Sequence, residues 1–248
     1  VSAARNKGLE LAAGRYIGFC DNDDYVHPEY YSFLYEGIRS CNAKMAVCGY
    51  ARVQSHKEGL PGPACHGEGR KQLFRAFKAG EAFGCLVRGE YPLKSYLWNK
   101  LYDRELFEGL RFPVGKVIED QNTVYKMVLS AERIAVSDWQ GYGYFWNPES
   151  ATNRKWNKKD LDYLEAWEEI FAYCEKYFPE YEQAARDQIV SAAIYSLGRM
   201  RKSGAKDPEA RAVLKDAVRK YSDGYGKSGI EPVTWKRKMI AKTKGLFL

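Results

Sequence analysis

Apolar positions in this chain recur first at helical spacing, then in short unbroken runs, and then at helical spacing again. Residues 2–14, Ser2-Ala-Ala-Arg5-Asn6-Lys-Gly8-Leu-Glu-Leu-Ala-Ala-Gly14, favour a helix, with Ser2 placed to cap its start and Gly14 to close its end. A mostly apolar run, Tyr16 to Cys20, follows and breaks off at Asp21-Asn22-Asp23-Asp24; a short run bounded in this way reads as a buried strand. Beyond the acidic turn, Pro28 suits a first helical position, and Phe33, Leu34, Gly37, Ile38 and Cys41 follow helical spacing. Residues 44–53 read as a buried strand and 54–69 as a loop holding several Gly and Pro. Residues 70–79 place Leu73, Phe74 and Phe77 at helical spacing, and 94–107, mixing aromatics with helix formers, read as mainly helical. Residues 119–131 predict a helix with Val124, Met127, Val128 and Ala131 on one face, 133–137 a short strand, and 142–146 an aromatic strand ended by Asn147-Pro148.

From about Asp160 the pattern changes to three helical stretches, 160–177, 180–202 and 208–221, separated by short Pro or Gly breaks. The last stretch, 232–248, joins Trp235, Met239, Ile240, Leu246 and Phe247 to Lys236, Arg237, Lys238, Lys242 and Lys244. It reads either as a basic amphipathic helix lying on an anionic membrane surface or as a solvated helix docked by its apolar side.

Composition narrows the class. A chain of 248 residues that is 45% hydrophobic and 15% aromatic can bury a core and excludes a disordered protein. The six cysteines, at 20, 41, 48, 65, 85 and 174, show no metal-type spacing, several sit in apolar contexts, and a reducing compartment is expected. No run of 18 apolar residues occurs, so the expected location is cytoplasmic, or peripheral on the inner face of the membrane. The net charge of +7 is compatible with an anionic substrate, a membrane or nucleic acid; dispersed basic residues without a recognised module argue against nucleic acid.

The acidic turn carries the first chemical signal. Three carboxylates in four positions repel one another unless something positive sits among them. A hard divalent cation, Mg²⁺ or Mn²⁺, wants oxygen ligands and shares them with substrate phosphates. The other reading is an acidic surface turn, since Asp and Asn are favoured there. His27 precedes Pro28 and has no partner at metal spacing, so it reads as part of the helix start; His56 and His66 carry no signal.

The flanks weigh toward the first reading. The stretch SAARNKGLELAAGRYIGFCDNDDYVHPEYY resembles the middle of a family 2 glycosyltransferase domain of the GT-A fold, with S-x-A-R-N-x-G, A-x-G-x-Y-I-x-F, D-x-D-D and a following Pro in order. Trp98-Asn99-Lys100-Leu101-Tyr102 with Arg104-Glu105-Leu106-Phe107 resembles the family's W-N-K-L-Y segment, and Gly109 to Pro113 followed by Glu119-Asp120 resembles the approach to its acidic pair. The matched segments span roughly residues 1 to 152. The resemblance implies an α/β, Rossmann-like, doubly wound mixed sheet in a partial GT-A domain at 1–155, with a helical C-terminal subdomain and basic tail at 156–248. It also implies that a portion of roughly two βαβ units, each about 30 residues, precedes Val1 in an intact domain.

What the resemblance implies for chemistry is an inverting transfer of a sugar from a nucleotide-diphosphate donor, a UDP-sugar foremost, to a glycan or lipid-linked acceptor, assisted by Mn²⁺ or Mg²⁺. Asp23 would coordinate the metal, and Asp21 would share in that site and face the nucleotide. Asp24 would bind substrate or hold the turn through backbone N–H groups. Asp120 would be the general base, with Glu119 beside it as an acceptor-binding group; without the resemblance, both read as ordinary first-turn acids. Arg5 would contact the donor. Trp98 and Asn99 would line the sugar pocket, with Trp98 equally readable as core. Related sequences usually carry an Arg in the Phe145–Trp146 slot, which this chain lacks, while Ser150 would reach a phosphate. The competing reading is a truncated, inactive relative that binds or dimerises through an exposed sheet edge.

Overall fold

Short apolar runs in the first 146 residues pair into two sheets rather than one. The computed structural model describes residues 1–55, 57–65, 67–146, 155–230 and 234–243, with the backbone alone at 67, 68, 235 and 236. The chain divides into two compact units, Val1–Leu86 with Tyr91–Val114 and Glu119–Pro148, and Val87–Glu90 with Gly115–Ile118 and Glu149–Leu248.

In the first unit the elements run α1 (Ser2–Leu11), β1 (Tyr16–Gly18), β2 (Tyr25–Val26), α2 (Tyr30–Ser40), β3 (Met45–Val47), β4 (Tyr50–Val53), β5 (Arg75–Lys78), α3 (Ala79–Arg88), β6 (Lys100–Asp103), α4 (Glu119–Ser130), β7 (Arg133–Val136) and β8 (Tyr142–Phe145). The larger sheet has the order β1-β6-β3-β7-β5, and the smaller β2-β8-β4. Only β3 with β7 and β4 with β8 pair in parallel, so both sheets are mixed. Three pairs of consecutive strands, β1 and β2, β3 and β4, and β7 and β8, step from the larger sheet to the smaller. The acidic turn is the connection at the first of these steps.

The core follows from the patterns. Helix α2 buries Tyr30, Phe33, Leu34, Gly37 and Ile38, one face at helical spacing, and β3 is buried at every residue. Phe33 meets Phe74 at 4.5 Å and Trp139 at 4.4 Å between ring centroids. Burial of such a side chain stabilises by about 1.5–3 kcal/mol.

Four local expectations are corrected. Residues 94–107 are not mainly helical: Lys100–Asp103 is β6, central in the larger sheet, and only Arg104–Phe107 forms a 3₁₀ turn. Burial of Lys100, Leu101 and Tyr102 between β1 and β3 outweighs local helix preference. The run 44–53 is two strands in different sheets, broken at Cys48-Gly49, where a Cβ on Gly49 would lie 2.7 Å from the Asp138 carbonyl. Residues 70–79 hold the end of a 3₁₀ turn, Gly67–Leu73, and then β5, which pairs with β7. Ser2 does not cap α1: Val1 takes that position, the Ser2 hydroxyl is buried without a partner, and the helix ends at Leu11, short of Gly14.

The second unit holds α5 (Asp162–Tyr177), α6 (Glu182–Ser203), α7 (Pro208–Tyr221) and α8 (Trp235–Lys242). Its helices pack through stripes such as Leu164, Trp167, Ile170 and Phe171 on α5 and Leu214, Ala217, Val218 and Tyr221 on α7. Buried Asp187 on α6 accepts from Gln183 Nε2 at 2.9 Å, from the Gly226 amide at 3.0 Å and from the Ser228 hydroxyl, which orders the glycine-bearing stretch before α8. No helix among the described residues is long and apolar enough to cross a membrane.

Candidate active site

The acidic turn is closed by the Asp24 amide donating to the Asp21 carbonyl at 3.1 Å. Asp24 then engages both carboxylate oxygens with the smaller sheet: Oδ2 accepts from the Tyr142 hydroxyl at 2.6 Å and Oδ1 from the Phe145 amide at 2.8 Å. The same Tyr142 oxygen accepts from the Asp21 amide at 3.2 Å. Asp24 therefore holds the turn on β8. Burial raises its pKa, while these two hydrogen bonds draw it back. Tyr142 is the residue that sequence reading missed; it stood there only as part of an aromatic strand.

Asp21 and Asp23 remain partly exposed on the turn. Asp21 Oδ1 lies 3.3 Å from Arg5 Nη2, and Arg5 Nη1 lies 2.5 Å from Glu119 Oε1. One guanidinium thus joins the turn after β1 to the first residue of α4, 114 positions away. Arg5 is held there by its neighbour: Asn6 exchanges two hydrogen bonds of 2.9 Å with the Phe112 backbone, docking α1, and the guanidinium rests 5.8 Å from the Phe112 ring centre.

Asp120 follows Glu119 in the first turn of α4. Burial, then the Glu119 charge, push its pKa from 3.8 up to about 6, against the Gln121 amide, Arg5 and Lys100, which favour the ionised form. The helix N-terminus favours a negative charge there as well.

Trp98 and Asn99, which the resemblance assigns to the sugar pocket, are both buried. Trp98 keeps only 6% of its surface and stacks between tyrosines. Asn99 is fully buried; its amide donates to the Cys48 carbonyl at 2.8 Å and the Pro92 carbonyl at 3.1 Å, and its oxygen accepts from Lys100 Nζ at 2.6 Å. Lys100 also donates to the Lys94 carbonyl at 2.8 Å and to the Tyr96 carbonyl. Burial lowers its pKa to about 7, opposed by the Asp120 charge. Together Asn99 and Lys100 pin the 92–98 segment against β3 and β6. His27 acts at the start of α2, as expected, accepting from the Glu29 amide at 3.1 Å. Ser150 lies outside the described residues.

Among the described residues no three His, Cys, Asp or Glu side chains converge as a self-sufficient metal site. A hard divalent cation that takes much of its shell from substrate phosphates and water needs only one or two carboxylates. Asp23, with Asp21 beside it, matches that requirement; Asp24, with both oxygens engaged, does not.

Comparison with known proteins bears on the family and the fold. Residues 1–116 match the family model described as glycosyl transferase family 2. A stretch of 163 residues is 31% identical to the glycosyltransferase GlyA of Streptococcus pneumoniae serotype 4, covering 64% of this chain and 23% of that protein. Another of 156 residues is 31% identical to EpsJ of Bacillus subtilis, described as an uncharacterized glycosyltransferase, covering 61% of this chain and 44% of that protein. The chain thus spans less than half the length of these two curated relatives. Crystal structures of S. aureus TarS share the fold; the complex with UDP-GlcNAc superposes with a TM-score of 0.59 at 17% identity, over 99% of this chain and 68% of that one.

Proposed function

Because this chain belongs to glycosyl transferase family 2 and has the GT-A fold, we propose that it forms part of an enzyme transferring a sugar from a nucleotide-diphosphate donor to a hydroxyl of a glycan or lipid-linked acceptor. The observation that carries this reading is the Asp21–Arg5–Glu119 ion-pair chain, which unites the acidic turn with the start of α4, where Asp120 stands.

Each group has a part. Asp23, with Asp21, would hold Mn²⁺ or Mg²⁺, which when bound stabilises the leaving diphosphate as a Lewis acid. Arg5 is the cation of the cluster, and its fork of donors suits diphosphate oxygens as well as it suits the two carboxylates it now bridges. Asp120 takes the acceptor proton as the new glycosidic bond forms; its raised pKa improves it for that task. Attack from the face opposite the leaving group inverts the anomeric carbon. Glu119, released when Arg5 turns to the donor, is available to bind an acceptor hydroxyl. Ser150 would add a phosphate contact. TarS structures carry UDP-GlcNAc and UDP, so a UDP-sugar is the first donor to test. The basic helix α8 is the part we assign to peripheral contact with an anionic membrane.

Calorimetry with UDP and Mn²⁺ tests the donor site. Heat of binding is expected for the full chain and its loss for Asp23→Ala. Unchanged affinity in that variant, or no heat with any nucleoside diphosphate, would sink the reading.

A further inference from the structure

Trp98 lies under a group of tyrosines. Its indole stacks on Tyr96, with centroids 4.7 Å apart and 10° between planes, and on Tyr142 at 4.4 Å and 24°. Tyr144 lies nearly parallel to it at 5.6 Å and 9°, and Tyr50 meets it edge-on at 5.0 Å. Trp98 and Tyr142 are buried, whereas Tyr50, Tyr96 and Tyr144 keep part of their surface in solvent.

This aromatic layer is rigid and well placed. Tyr91 grips Tyr50, accepting from its amide at 2.8 Å and donating to its carbonyl at 3.3 Å. Lys100 and Asn99 hold the segment bearing Tyr96 and Trp98 from beneath. Tyr142 bonds Asp24 of the acidic turn, and after burial it is the Asp24 charge that most raises the Tyr144 hydroxyl pKa, with Asp23 and Asp21 adding to it. Lys100, which holds the Tyr96 carbonyl, feels the Asp120 charge. The layer therefore lies beside the acidic turn and within electrostatic reach of Asp120.

A ligand suited to this surface has one apolar face for the rings and a rim of hydroxyls for the carboxylates. A pyranose ring has both, through its C–H face and its equatorial hydroxyls; an acyl chain has no partner for the carboxylates. We propose that Tyr50, Tyr96 and Tyr144, backed by Trp98, form a stacking subsite for a sugar ring of the acceptor, so that the acceptor is recognised as a carbohydrate. The word acceptor rests on the glycosyl-transfer reading; the sugar contact does not.

Saturation-transfer NMR on the full chain, with maltotriose, N-acetylchitotriose and galactotriose as probes, tests the subsite. Transfer to the ring protons of at least one probe is expected, unchanged by UDP. Tyr96→Ala and Tyr144→Ala should weaken that probe roughly three- to tenfold, and Tyr96→Phe should restore it. Tyr96→Leu, which keeps apolar volume without a π-face, should behave as the Ala variant; cooperative thermal melting of each variant shows that its fold is intact. Transfer to none of the probes, wild-type binding by Tyr96→Leu, or displacement of the sugar by UDP would each overturn the proposal. A chain that binds UDP but no sugar loses the subsite alone, and one that binds sugar but no nucleoside diphosphate loses the donor reading alone.

Discussion

Asp120 is buried beside a second carboxylate, and both facts oppose its ionisation. Its folded pKa, about 6, stands above the ordinary 3.8, so the folded protein binds more protons than the unfolded one between those values. Stability therefore falls as pH rises through that window, and the cost persists above it. Asp120→Asn should abolish transfer, leave UDP binding intact, and melt higher than the parent at pH 7.5 with a flatter pH dependence between 4 and 6. Unchanged turnover would remove Asp120 from the base role. Asp21 and Asp23 stood out in the sequence because carboxylates crowded at a strand end are a local pattern, whereas Asp120 stood out only through the family resemblance, being otherwise an ordinary first-turn acid. The engagement of Asp24 with Tyr142, and of Asn99 with Cys48 and Pro92, was not visible there, since each bond joins residues far apart or across a fold of the chain.

At the scale of elements, β6 shows local preference overridden by pairing. Lys100-Leu101-Tyr102-Asp103 lies between β1 and β3, and Lys100 is buried with its ammonium on three oxygens. Its pKa, about 7, lies below the ordinary 10.5, so the unfolded chain binds more protons between those values and stability rises with pH across them. Lys100→Met should lose that rise. It should also cost roughly 2 kcal/mol at pH 7, because buried carbonyls lose their donor while a buried charge is relieved. Chemical denaturation at pH 7 and pH 9 measures both effects; a variant as stable as the parent at both would refute the pinning role. The three helices after Asp160 were legible because amphipathic spacing over 14 or more residues is a strong local signal. Strands of three and four residues were legible where an apolar run stood alone, as at 133–137 and 142–146, but their pairing was not, and a break like Cys48-Gly49 becomes apparent only once two sheets exist.

For the whole molecule, the net charge of +7 gives an anionic surface a long-range attraction, and α8 concentrates it: WKRKMIAK has four basic residues and no acidic one. On this reading the full chain should co-sediment with phosphatidylglycerol vesicles at low salt and be released at high salt. Lys238→Glu with Lys242→Glu should weaken binding by roughly tenfold or more. Equal sedimentation with neutral vesicles would exclude the electrostatic anchor. The sequence by itself determined the family, the mixed α/β class, the helical second half and the acidic groups proposed to carry the chemistry, because these rest on local composition and order. Tertiary structure alone decided which residues meet: that Arg5 bridges Asp21 and Glu119, that Asp24 bonds Tyr142 and Asn99 the Cys48 and Pro92 carbonyls, and that Trp98 underlies partly exposed tyrosines. Such contacts depend on strand order and on the steps between two sheets, which join positions up to 121 residues apart and leave no pattern in the chain between them.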